Sequence, residues 1–111
     1  MTIDAIQVVT TTASEAEAQQ IAAALVEARL AACAQVSGPI TSTYRWQGKV
    51  ETSHEWRCTI KTRQSHFAAV AAMITQLHSY EVPEILATAV AAGSPEYLTW
   101  LSGELADPSQ P

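Results

Sequence analysis

Residues 40–62 read ITSTYRWQGKVETSHEWRCTIKT, and their alternation decides the fold. Side chains of an extended chain point to opposite faces in turn. Ile40, Ser42, Tyr44 and Trp46 therefore share one face of a strand. Gln47-Gly48 reads as a two-residue turn, because glycine takes φ > 0 without a steric penalty. Val50–Thr62 alternates again. Val50, Thr52, His54, Trp56, Cys58 and Ile60 face one way; Glu51, Ser53, Glu55, Arg57, Thr59 and Lys61 face the other. The pattern is a β-hairpin whose second strand is far longer than the usual ~5–6 residues. Fully extended at ~3.3 Å per residue, it would reach roughly 43 Å. A globule of 111 residues has a diameter of roughly 34 Å. The hairpin therefore projects or bends, and a bulge that folds it back is the alternative. A projecting ribbon that carries Tyr44, Trp46 and Trp56 leaves strand edges open to aggregation unless something pairs with them. The simplest partner is another copy of the chain, so the sequence predicts a closed homo-oligomer.

The flanking segments complete one domain. Ile3–Thr11 (IDAIQVVTT) is short, apolar and β-branched, and predicts a buried strand. Ser14-x-x-Glu17 has capping-box spacing, and Ala18, Ile21, Leu25 and Ala28 continue it as a helix to residue 31 or 32. Ser37-Gly38-Pro39 reads as a break before the hairpin. A second helix spans about Ser65–Leu77, with Phe67, Val70, Ile74 and Leu77 on its buried stripe. Pro83 closes the loop that follows. Ile85–Ala92 predicts the last strand, and Ser94-Pro95-Glu96 opens a short final helix. The expected domain covers 1–105, with 106–111 as a flexible tail. The order is strand, helix, strand, strand, helix, strand, short helix. That is a split βαβ arrangement: an α+β, ferredoxin-like βαββαβ sandwich with an extended β-hairpin and helices over one face of an antiparallel sheet.

Composition narrows the function. Charged residues make up 15% of the chain, against about 25% in a typical soluble domain, which points to surface covered by a partner. Eleven acidic and six basic residues give a net charge of −5. Without a basic cluster the chain is not expected to hold nucleic acid or a membrane surface. No apolar run approaches the ~18 residues of a membrane span, and no signal-peptide pattern opens the chain. Cytoplasm is the expected compartment. Cys33 and Cys58 are not in CxxC spacing and read as small buried hydrophobes.

Five segments carry a family likeness: LAACAQV (30–36), TSTYRWQGKVE (41–51), IKT (60–62), HSYEVPEI (78–85) and YLTWL (97–101). Together they resemble the CutA divalent-cation tolerance proteins, in order from about Ile3 to Leu105. The resemblance implies a tight homotrimer joined through long hairpins, similar in build to PII signalling trimers. It also implies a role in tolerance of copper and other divalent cations, with Cu²⁺ or another divalent ion bound weakly, no organic cofactor and no enzymatic reaction. The copper site of relatives includes a histidine where this chain has His78. Their paired histidine and their cysteine fall at Leu77 and Thr10, and a threonine hydroxyl is a poor ligand for borderline metals. Only His78 is carried over.

Read from its own residues, His78 lies at the end of the second helix near Tyr80, Glu81 and Glu84. It is either a metal ligand or a cap on the helix. No HExxH, phosphate loop or nucleophile elbow occurs. A second group, Tyr44, Trp46, Trp56, Lys61, Tyr80, Glu84 and Trp100, joins amphipathic rings with a few charges. Such a set suits a ligand cleft or a trimer interface. One further reading is a PII-like signalling trimer that binds a small anion or metabolite between subunits, with Lys61 holding the anion. Another is a scaffold for a protein partner.

Overall fold

Strand β1 (Ala5–Thr12) alternates as expected: Ile6, Val8, Thr10 and Thr12 all lie on one buried face. The structure is a computed structural model and describes residues 4–107. Helix α1 (Glu15–Glu27) follows, with Ser14 as N-cap accepting the Glu17 amide at 3.2 Å. The second half of the expected capping box is not made. Glu17 turns away, and its carboxylate takes the backbone amide and the hydroxyl of Ser79 at 2.8 and 2.9 Å. A long-range tie thus replaces a local one.

Helix α1 ends four or five residues before the expected 31 or 32. Arg29 adopts a left-handed conformation, φ 60°, and the amides of Leu30 and Ala31 fold back to the Leu25 carbonyl. A left-handed residue other than glycine costs roughly 1–2 kcal/mol. The guanidinium of Arg29 offsets this by donating to the carbonyls of Glu104 and Gly103 at 2.9 and 3.2 Å.

The hairpin is longer than its sequence suggests. Strand β2 (Cys33–Trp46) starts well before Ile40, and strand β3 (Lys49–Arg63) pairs with it along the whole length. Ser37-Gly38-Pro39, expected to interrupt the chain, is instead a bulge between Ser37 and Ile40 inside one strand. Proline is tolerated there because β2 lies at the sheet edge. The Gln47-Gly48 turn forms as expected, with φ of 51° and 80°. Both values are positive, as the twist of a tight hairpin requires.

A 3₁₀ turn (Gln64–His66) leads into helix α2 (Phe67–Leu77). Strand β4 (Leu86–Ala89) is shorter than the expected Ile85–Ala92. It pairs with β1 only over four residues, Leu86 with Val9 through Ala89 with Ile6, and the Val90 amide adds one further bond to the Ala5 carbonyl. The four strands form one antiparallel sheet in the order β2-β3-β1-β4, the predicted ferredoxin-like sandwich. Ile6, Val8, Cys58 and Ile60 of the sheet meet Ile21 and Leu25 of α1 and Val70 and Ile74 of α2 in the core.

Helix α3 (Pro95–Glu104) does not join the other two. It packs on residues of β3 that alternate with the core-facing ones. Arg63 donates to the Ser102 hydroxyl at 3.1 Å, and the Lys61 ammonium sits 5.6 Å from the Tyr97 ring centre. The sheet is therefore covered on both faces at this end, and Leu101 and Leu105 are buried there. Ala106, placed in the expected tail, is held at both polar groups. Its amide donates to Arg29 and its carbonyl lies 2.7 Å from Nε2 of His66. Residues 108–111 of that tail lie outside the described residues.

The hairpin projects. β1 ends at Thr12, opposite Trp56, so the stretch from Ile40 to Glu55 pairs as a two-stranded ribbon. The molecule measures 47 × 30 × 23 Å, with a radius of gyration of 14.7 Å, against roughly 13 Å for a compact chain of this length. Tyr44, Trp46 and Val50 on the ribbon are 43%, 50% and 62% exposed.

Candidate functional site

His78 ends α2, its amide bonded to the Ile74 carbonyl at 2.9 Å, and its imidazole is fully buried. The Tyr80 amide donates to Nδ1 at 3.0 Å. Nδ1 is therefore an acceptor, and Nε2 carries the proton that it donates to the Thr11 carbonyl at 2.8 Å. A Glu17 oxygen lies 3.4 Å from Nδ1, but with this tautomer it is a neighbour and not a salt-bridge partner. Neither ring nitrogen keeps a free lone pair for a metal ion in this arrangement. The imidazole instead ties the end of β1 to the segment after α2.

That tie places Tyr80, whose ring lies 4.8 Å from the imidazole, centre to centre. The Tyr80 hydroxyl donates to Oε2 of Glu55 at 2.8 Å. Burial, and then the Glu55 carboxylate, hold the phenol well above its ordinary pKa, so it stays a donor across the physiological range. Glu55 stands opposite Ile40, just past the bulge, and is only 8% exposed. Among the described residues its side chain has this single hydrogen bond, and no Lys, Arg or His nitrogen lies within 4.0 Å of its carboxylate. On the same face of the ribbon the Tyr44 hydroxyl lies 3.2 Å from Oγ of Ser53.

Between the ribbon and residues 80–84 is a cleft of about 600 Å³. Tyr44, Trp46 and Glu55 line it from the ribbon, Tyr80, Glu81 and Glu84 from the opposite segment, and Thr11 from the end of β1. Four residues expected to act together, Tyr44, Trp46, Tyr80 and Glu84, do meet here. The other three do not. Trp56 belongs to the opposite face, beside Gly38 at the bulge. Lys61 and Trp100 lie at α3 around Tyr97; the Tyr97 and Trp100 rings are 5.4 Å apart. An anion in this cleft would thus lack the help expected from Lys61. Glu55 was not singled out from the sequence: it sits among the alternating polar residues of β3, and its burial depends on Tyr80, 25 residues away in the chain.

The other candidate ligands are scattered. Thr10 is fully buried on the core face, and its hydroxyl has no hydrogen-bond partner among the described residues. Leu77 packs against the core. Cys58 is buried, as expected, and Cys33 is half-buried. Among the described residues, no three His, Cys, Asp or Glu side chains are grouped so as to hold a metal ion. No helix of the described residues is long and apolar enough to cross a membrane.

The family model described as CutA1 divalent ion tolerance protein matches residues 6–104. The crystal structure of CutA from Xylella fastidiosa superposes with a TM-score of 0.90 at 41% identity, covering 93% of this chain and 99% of that one. The divalent-cation tolerance protein CutA of Pectobacterium atrosepticum is 41% identical over 46 residues, 41% of this chain and 42% of that protein. The chloroplastic protein CutA of Arabidopsis thaliana is 43% identical over 42 residues, 38% of this chain and 23% of that protein. The matched stretch therefore spans less than half of each of these two curated relatives.

Proposed function

The chain belongs to the CutA1 divalent ion tolerance family, and on that premise we propose that it serves divalent-cation tolerance as a homotrimer that binds a ligand in the ribbon cleft. It acts by binding and not by catalysis, in the cytoplasm. One observation carries this reading. The ribbon from Ile40 to Glu55 has no third strand, yet it forms one wall of the cleft. A lone two-stranded ribbon is marginally stable in water, and its exposed Tyr44, Trp46 and Val50 suit burial against other copies. Trimer assembly would then hold the cleft in shape.

Copper or another divalent ion is the cargo of the tolerance role in this reading. Binding at His78 requires Nδ1 to release the Tyr80 amide, so any such binding is weak. A small anion in the cleft has less support, because Glu55, Glu81 and Glu84 line it and, among the described residues, no Lys, Arg or His does.

Sedimentation of the purified protein, with calorimetric titration of Cu²⁺ into wild type and His78→Ala, tests the reading. A trimer at micromolar concentration is expected, with copper heats that are small and lost in the variant. A monomer would overturn the assembly. Tight copper binding equal in both proteins would move the metal away from His78.

A further inference from the structure

Resting on the reading of this cleft as the ligand site, we infer that its ligand is an organic monocation, a protonated or quaternary amine. The argument starts from Glu55. Glu55 is 8% exposed as a residue, and a carboxylate held in such a place is costly to keep without a countercharge. Oε2 receives the Tyr80 hydroxyl, and Oε1 takes no hydrogen bond among the described residues. Glu55 lines the cleft, so the charge left uncompensated by the fold faces the space a ligand would enter.

The walls agree with that charge. Tyr44, Trp46 and Tyr80 line the same cleft, and aromatic faces attract cations through their quadrupole, Trp most strongly. Glu81 and Glu84 add negative potential at the segment opposite the ribbon. A volume of about 600 Å³ falls in the ordinary range of small-molecule sites. A bare metal ion fits less well. Divalent ions need several donors converging on one point, and among the described residues no three carboxylate, imidazole or thiol groups do so. One buried carboxylate between aromatic rings matches an ammonium group with an apolar body: Glu55 takes the charge and the rings take the hydrocarbon.

Calorimetry on the full chain in its assembled state, in sodium phosphate at neutral pH, tests this with three probes of one length. Hexylammonium is the cation, 1-hexanol its neutral counterpart and hexanoate the anion. Hexylammonium is expected to bind about tenfold tighter than hexanol, with no heat from hexanoate. Glu55→Gln should erase the preference for the cation over hexanol, with sedimentation and circular dichroism unchanged. If that variant fails to fold, Trp46→Leu, which keeps an apolar side chain on the ribbon, replaces it, with sedimentation showing the assembly intact and hexylammonium affinity expected to fall several-fold. Hexanol or hexanoate binding as well as the cation, with loss on Trp46→Leu, would overturn the ligand class and leave the cleft as a site. So would a preference for the cation that survives Glu55→Gln. No heat from any probe at millimolar concentration, or binding indifferent to both substitutions, would remove the cleft as a ligand site and the inference with it.

Discussion

Burial pushes the Cys58 thiol up from its ordinary 9.0 to about 11. The unfolded chain releases this proton near pH 9 and the folded chain does not until about 11. The thiol's contribution to folding stability is therefore fully present below pH 9 and is lost as pH rises from 9 toward 11. Denaturant midpoints measured across that window should decline, and Cys58→Val should flatten the decline. At pH 8 a thiol reagent should label half-buried Cys33 in the native protein and spare Cys58. Tyr80 works at the same scale. Tyr80→Phe leaves Oε2 of Glu55 without its donor, and a loss of about 1–3 kcal/mol is expected in urea unfolding.

The hairpin shows how one element draws on two kinds of glycine. At the bulge, Gly38 has φ 151°, and a Cβ there would lie 2.6 Å from Cδ1 of Trp56 and 3.1 Å from the Glu55 carbonyl. Gly38→Ala combines a strained backbone with a clash against a ring and a main chain, so a cost of roughly 2–4 kcal/mol is expected. At the turn, Gly48 has φ 80° and nothing within 4 Å. Gly48→Ala carries only the conformational cost, about 1–2 kcal/mol. Equilibrium unfolding of the two variants separates the contributions, and an equal loss in both would deny the clash. At the start of α1, Ser14→Ala removes the cap of that helix, with about 1 kcal/mol expected.

For the whole molecule, assembly is the decisive prediction. If folding and trimerisation are linked, the melting temperature rises with protein concentration. Trp46, half-exposed in the single chain, is the probe. Buried in the proposed trimer, its change to alanine costs on the order of 3–5 kcal/mol; on a chain that stays single it costs far less. Scanning calorimetry over a range of concentrations, for wild type and Trp46→Ala, distinguishes the two. A melting temperature independent of concentration in both would count against the trimer.

Periodicity by itself determined the element order, the two-residue turn, the length anomaly of the hairpin and most of the core, because these depend on side chains a few positions apart. Ile60, Ile21 and Ile74 are buried for the reason their spacing states: each falls on the one apolar face of its element. What required tertiary structure were the features set by residues distant in the chain. Gly38-Pro39 looks like a break until β3 is seen to pair with β2 on both sides of it, the register shifting by one residue at the bulge. β4 takes its extent from its pairing with residues 6–9 of β1 and from the Val90 amide bond to the Ala5 carbonyl. Glu17 spans 62 positions to Ser79 instead of capping its own helix. The cleft is the clearest case. Tyr44, Trp46, Tyr80 and Glu84 stand out as residue types, but Glu55 acquires its character only when the Tyr80 hydroxyl reaches it across the fold. Trp56, Lys61 and Trp100 leave the group for a complementary reason: alternation along β3 sends Trp56 to the opposite face, and α3 holds the other two at Tyr97. Sequence spacing fixes which face of an element a side chain takes, while the packing of elements decides which faces meet.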